Sequence, residues 1–377
     1  MGKVCVFQCL DYEYSSVKKV IYDCLDNSAM SKKLFRGAKV LIKANLLMKK
    51  RPEDAVTTNP MVIQTIAEYL IERGCTAIIG DSPAGPFTVH ALREIYRACG
   101  MELAAQNSGG QLNYDVGYSE VTSEGALRLK RFDLINIVSE CDFVISAAKL
   151  KTHGMMTYTG AVKNLFGVIP GLTKANYHFK LMDKDNFGHH LIDIAEYVKP
   201  DYSIIDAIDC MEGNGPSSGI KRHVGLILGG DNPYETDVVA ADIASIDERL
   251  IPTLYLARER NLLDQEIEFV GDDYKQMAIP PFLLPDSTEV TFLPKTMPKW
   301  WKEFLIRKLK AKPKFIHEKC ISCGHCIRNC PTKIITMNEN NKPIMDLKKC
   351  ISCFCCHEVC PDHAIEIKKP LLSRILK

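Results

Sequence analysis

Nine of the sixteen cysteines fall within the 41 residues from Cys320 to Cys360, in two matching runs. The first reads CISCGHCIRNCPTKIITM and the second, thirty residues later, CISCFCCHEVCPDHAIEI. Aligned, Cys320, Cys323, Cys326, Cys330 and Pro331 fall on Cys350, Cys353, Cys356, Cys360 and Pro361. Three thiolates spaced two residues apart wrap three corners of one iron cubane, and a fourth, followed by a turn-forcing proline, points away to the other cluster. The spacing therefore expects two [4Fe–4S] clusters. One is held by Cys320, Cys323, Cys326 and Cys360, the other by Cys350, Cys353, Cys356 and Cys330. Zinc is the competing reading, since four-cysteine sites are common. Zinc motifs, however, pair two separated CxxC knuckles rather than three consecutive spacings with a Pro-flanked fourth. A ninth cysteine, Cys355, stands where the first run has His325, and the register leaves it spare to pack or to tune potential. Phe354 replaces Gly324 beside it and is expected to shield that cluster from water.

The other seven cysteines (Cys5, Cys9, Cys24, Cys75, Cys99, Cys141 and Cys210) are scattered and read as small buried hydrophobes. The formal charge of +2 conceals an asymmetry: residues 1–297 balance at −8 and residues 298–377 at +10. Anionic clusters account for part of the basic excess. No aromatic-basic interleaving accompanies it, so no nucleic-acid partner is expected. The start, MGKVCVFQCLDYEY, reads as a strand rather than an export signal. No run approaches the roughly 18 apolar residues of a spanning helix. A cytoplasmic protein is expected.

To about residue 280, short apolar runs alternate with helical stretches, the pattern of an α/β domain with a mostly parallel sheet flanked by helices. Expected strands are Lys39–Lys43, Ala77–Gly80, Phe143–Ala147, Tyr202–Ala207, Val224–Leu228 and Ile267–Val270. The clearest helix follows TTNP, with Asn59 as cap, Pro60 at the first position and Gly74 as stop. Others run from about Val89 to Cys99 and from about Phe187 to Val198. Domains are expected over residues 1–280 (α/β), 281–315 (a Pro-rich linker) and 316–370 (a small α+β, two-cluster, ferredoxin-like unit). The linker ends in KWWKEFLIRKLKAK, residues 299–312, a basic amphipathic segment. It packs on its own protein or makes peripheral contact with an anionic membrane.

The stretch AAKLKTHGMMTYTGAVKNLFGVIPGLTKANYHFK, residues 147–180, sets Lys149, Lys151, His153, Lys163 and His178, with Lys174, around a strand end and a Gly-rich turn. Such cations among Ala, Gly and apolar residues suit an anionic small molecule, carboxylate or phosphate. The bland alternative is a solvated charged face. Asp81, Asp206 and Asp231 follow strands, where crevices of open parallel sheets form, or simply cap the next turn.

These residues resemble a family, the domain of unknown function 362, often fused to a ferredoxin module in anaerobic bacteria and archaea. The resemblance covers most of residues 38–247. It rests on VLIKANLL, TTNP, GDS at Gly80–Ser82, KLKTH with KNLFG, IIDAIDCMEGNGPSSG and LGGDNPYETDVVAAD. The tail runs are similar to those of bacterial two-cluster ferredoxins. The resemblance implies a two-module architecture and says little about substrate. EGNGPSSG misses the dinucleotide fingerprint and GLTK misses the P-loop spacing. No flavin motif is present, and a flavin site without one stays open.

Three functions follow. The first is a redox enzyme, in which Lys149, Lys151, His153, Lys163 and His178 orient an anion, His153 or His178 moves the proton, and the clusters exchange electrons with it and with a donor or acceptor protein. The second is a plain electron carrier or adaptor. The third is a metal-handling or cofactor-maturation protein using Asp81, Asp206, Glu212 and Asp231 as hard ligands.

Overall fold

Lys39–Lys43 carries the apolar run Val40-Leu41-Ile42, buried on both faces, as a central parallel strand requires. In the computed structural model, which describes residues 2–181, 183–264, 266–287 and 310–369, this strand (β2) lies at the heart of one large sheet. The other strands, in chain order, are β1 (Gly2–Gln8), β3 (Thr76–Gly80), β4 (Gln111–Leu112), β5 (Tyr118–Thr122), β6 (Arg131–Ile135), β7 (Phe143–His153), β8 (Thr157–Thr159), β9 (Tyr202–Glu212), β10 (Ile220–Gly230) and β11 (Ile267–Gly271). Among the described residues the sheet order is β11-β1-β10-β9-β7-β2-β3-β4, with β8 on β7 and β5–β6 a separate hairpin. β9, β7, β2, β3 and β4 run parallel, while β10 is antiparallel to both β9 and β1. The α/β architecture is as the sequence expects.

Helices cover both faces. Pro60–Glu72 begins as expected: Asn59 accepts a hydrogen bond from Met61 N at 2.9 Å, and Pro60 occupies the first position. Its apolar face joins the helix Tyr14–Asp26 over one side of the sheet. Lys184–Val198 and Pro233–Ile243 pack on the other.

Three strands run further than expected: β10 spans Ile220–Gly230 rather than Val224–Leu228. The strand expected over Phe143–Ala147 continues to His153 with every residue buried. β9 likewise continues past Asp206 to Glu212. Asp206 therefore lies within a strand rather than at its end. Asp231 follows β10, which runs the other way, so it stands at the opposite sheet end from Asp81.

The tail forms its own small fold. β12 (Lys312–Phe315) pairs with β15 (Ile365–Lys368), and β13 (Ile335–Met337) with β14 (Pro343–Met345). Short helices His325–Arg328 and Cys355–Glu358 lie within the two cysteine runs, each carrying the third cysteine of its run. The duplication is written in the backbone: positive φ recurs at Ser322 and Ser352 (60° and 57°), Gly324 and Phe354 (72° and 61°), and Lys333 and His363 (52° and 50°). At Phe354 this conformation costs roughly 1–2 kcal/mol, held by burial against Ala311 and Ile367. Most of the amphipathic segment 299–312 lies outside the described residues. Among those described, no helix is long and apolar enough to cross a membrane.

Candidate functional site

The carboxyl ends of β2, β3 and β7 gather a set of buried polar side chains where parallel sheets build crevices. Lys43, 1% exposed, sets its ammonium 2.9 Å from Asp81 Oδ1 and donates to Asn164 Oδ1 at 2.8 Å. Asp81 is held in turn by the backbone N–H groups of Leu46 and Ser82. Lys151, equally buried, donates to Asn45 Oδ1 (2.8 Å) and the Val56 carbonyl (2.6 Å) and pairs with no carboxylate among the described residues. Gly167 passes over this floor, where a Cβ would collide with the Asp81 carboxylate and the Lys43 ammonium. Only glycine fits that approach.

The Gly-rich turn makes the next wall. Gly171 N donates to Ser82 Oγ, and Lys174 reaches the Ser82 and Ile169 carbonyls. His178, on the helix Thr173–Lys180, stacks on Phe187 at 4.3 Å, and its buried Nδ1 has no hydrogen-bond partner among the described residues. Lys163 stands 6.0 Å over the Phe166 ring with no hydrogen-bond partner among the described residues.

The last wall comes from the tail. Cys355, Glu358, Val359 and Asn329 complete a pocket whose other linings include Lys43, Lys151, Lys163, Lys174 and His178. Docking contacts hold it shut: Ser217 Oγ donates to the Glu358 carbonyl (2.8 Å), Ser218 Oγ lies 2.7 Å from His363 Nδ1, and Lys50 donates to the Pro361 carbonyl (3.0 Å). Glu358 Oε1 also lies 3.0 Å from His153 Nε2.

Burial shapes the charges. It depresses Lys43, Lys151 and Lys163, the second well below the ordinary lysine value with help from neighbouring Lys163 and Lys149. It brings Lys174 down to about 7, Asp81 opposing, and His178 down to about 3. Glu358 is pushed up by burial, but His153, Lys163 and His178 outweigh this and leave it at about 2. Four lysines face two carboxylates, which suits an anion.

The cysteines sort into two sets. Cys320, Cys323, Cys326 and Cys360 line one small cavity. Burial, then the thiols of Cys323 and Cys360, raises Cys326 to about 11. Cys356 is raised well above the ordinary thiol value by burial and then by Cys353, Cys350 and Cys330. Each run thus sends its fourth cysteine to the other run's space. Thiols that mutually oppose ionisation suit a cationic iron core. Among the described residues no three His, Cys, Asp or Glu side chains converge tightly enough for one ion.

Of the residues singled out in sequence, the structure brings Lys151, Lys163 and His178 to the pocket, and Lys174 with them. Lys149 lies apart, its ammonium 2.8 Å from both Asp206 Oδ2 and Tyr12 OH. His153 is fully buried behind the pocket, Nδ1 accepting from Met155 N and Met156 N; burial, then Lys163, lowers it to about 4. The acids considered as hard ligands are dispersed: Asp81 pairs with Lys43, Asp206 with Lys149 and Glu212 with Arg222, while Asp231 accepts from Ala29 N. Glu358 and Asn329 carried no signal as pocket residues, since only the docking of the tail brings them there.

Comparison with known proteins agrees with this two-part build. A family described as domain of unknown function (DUF362) matches residues 40–242, and a 4Fe-4S dicluster domain matches residues 312–361. A thylakoid-associated protein of Synechocystis sp. (strain ATCC 27184 / PCC 6803 / Kazusa) is 33% identical over 285 residues, covering 73% of this chain and 85% of that protein. The lactate racemase apoprotein of Thermoanaerobacterium thermosaccharolyticum aligns at a TM-score of 0.41 and 12% identity, over 65% of this chain and 58% of that one. The chain belongs to the domain of unknown function 362 family, with a 4Fe-4S dicluster domain at its C-terminal side.

Proposed function

We propose that this iron–sulfur electron-transfer protein is an oxidoreductase whose substrate is a small anion, carboxylate or phosphate, held in the pocket between its two modules. One observation carries the reading: the wall closing the cationic pocket is the loop of the second cysteine run, with Cys355 lining the pocket beside Cys353 and Cys356. Electron transfer favours such adjacency, and a carrier or adaptor has no use for four lysines converging there, two of them, Lys43 and Lys151, buried.

In this reading Cys320, Cys323, Cys326 and Cys360 hold one [4Fe–4S] cluster, and Cys350, Cys353, Cys356 and Cys330 a second; bound, they supply single electrons. Lys163, with no hydrogen-bond partner among the described residues, binds the anion first, and Lys151 and Lys43 fix its orientation from the floor. Lys174, at about 7, holds or releases the accompanying proton near neutrality. His178 stays neutral and donates or accepts a hydrogen bond rather than carrying the proton. Lys149 has only a structural role.

The test is anaerobic. Dithionite-reduced protein is mixed with a panel of small carboxylates and phosphates, and the return of the oxidised visible spectrum is followed. One class should speed it, and Lys163→Ala should remove that effect while leaving the resting spectrum intact. A panel without effect, or a Lys163→Ala protein that responds like the parent, rejects the reading.

A further inference from the structure

The tail carries a second charged surface with no part in the pocket. A groove between the β12–β15 ladder and β14 is lined by Lys312, Lys314, Lys368 and Lys369, and among the described residues no Asp or Glu lines it. Asp346, nearby in sequence, faces Lys349 at 3.8 Å. The groove is also apolar: Ile344 and Leu347 are 46% and 51% exposed at its edge, and Phe315 and Met345 line it. Exposed apolar side chains within a charged rim mark a protein-binding surface.

Its position is what gives it meaning. Phe315 and Pro343 line both this groove and the cavity of Cys320, Cys323, Cys326 and Cys360. Lys312 donates to the Cys350 carbonyl at 2.6 Å, tying the same groove to the second run. The groove therefore lies one side chain from one thiol set and one hydrogen bond from the other, while the second run turns Cys355 and Glu358 to the substrate pocket.

We infer that an acidic one-electron carrier protein docks in this groove and exchanges electrons with the chain there. The inference rests on the redox reading above and names its protein partner. The chain's own neighbouring stretches do not complement the groove's charge: residues 288–309 and 370–377 carry net charges of +3 and +2. A carboxylate-rimmed surface with a small apolar centre does. Each exchange oxidises one partner by one electron and reduces the other by one; no bond forms and no proton moves.

The test uses the full, cluster-loaded protein and an acidic bacterial two-cluster ferredoxin as probe. Binding is measured anaerobically by calorimetry, and electron exchange by stopped-flow absorbance. The parent should bind at low salt and weaken as salt rises. Lys314→Glu/Lys368→Glu should weaken binding roughly tenfold or more and slow the exchange in proportion. Lys314→Arg/Lys368→Arg should retain both, as should the control Lys18→Glu/Lys19→Glu on the large domain. No binding by the parent, or equal binding by the Lys314→Glu/Lys368→Glu protein, overturns the inference. Failure of every small anion to reoxidise the protein rejects the substrate reading instead and leaves this binding result untouched.

Discussion

Replacing Lys149 with methionine separates a structural lysine from a functional one. Its ammonium lies 2.8 Å from Asp206 Oδ2, with both side chains at most 1% exposed. Removing one partner of such a pair strands the other charge in a dry interior and costs about 3–5 kcal/mol. Asp206 keeps three donors, Tyr12 OH (2.9 Å), Asn59 N (2.9 Å) and Ile208 N (3.3 Å), which places the cost near the lower end, about 3 kcal/mol. For a domain above 200 residues, at about 2 °C per kcal/mol, Tm should fall by about 6 °C. Adding Asp206→Asn removes the stranded charge and keeps an acceptor for Tyr12 OH and Ile208 N while leaving Asn59 N without one, and should restore roughly half of the loss. Scanning calorimetry of the anaerobic protein reads both. Where the variant is folded, reoxidation by the responding anion should proceed at the parental rate. The reasoning is refuted if Lys149→Met leaves Tm within about 2 °C of the parent, or if it abolishes reoxidation with Tm unchanged.

Further outcomes follow from the same contacts. Lys174 has its folded value lowered to about 7 from an ordinary 10.5. Its charged form thus gains ground as pH falls through 7, and anion affinity measured by titration should rise in that direction, with Lys174→Met flattening the profile. The unfolded chain holds that proton more tightly, so this group's contribution to stability should rise with pH between about 7 and 10.5 and level off below. Gly167→Ala should drive a methyl into the Lys43–Asp81 pair, weakening anion binding at least tenfold by calorimetry while the tail keeps its visible spectrum. Asp237 accepts from Ala161 N, Val162 N and Tyr158 OH in a buried site. Asp237→Ala leaves three donors unpaired and should cost roughly 2–4 kcal/mol in urea unfolding.

The tail was legible because cluster spacing is local: four ligand positions and a proline repeat within twelve residues, and the folded loops repeat their positive-φ positions thirty residues apart. The helix after Asn59 was legible for the same reason, its cap and first proline being adjacent. The basic pocket was legible only in part. Lys149, Lys151 and His153 alternate along one strand, and nothing in their spacing says that Lys149 meets Asp206 57 positions later while Lys151 meets Asn45 106 positions earlier. The strand's continuation past Ala147 was not legible either, because the partners that let Lys149 and Lys151 be buried lie far away in sequence. The direction of β10, and with it the place of Asp231, depends on tertiary pairing. Glu358 was beyond reach, because its role depends on one module seating on the other.

If the pocket takes the proposed anion, that seating through Ser217, Ser218 and Lys50 makes selectivity a property of the pair of modules. A relative with the same large domain but another residue at the position of Glu358 would present a different lid over an unchanged floor. Exchanging tails between relatives should therefore transfer substrate preference together with reduction potential, and a large domain expressed alone would report on neither.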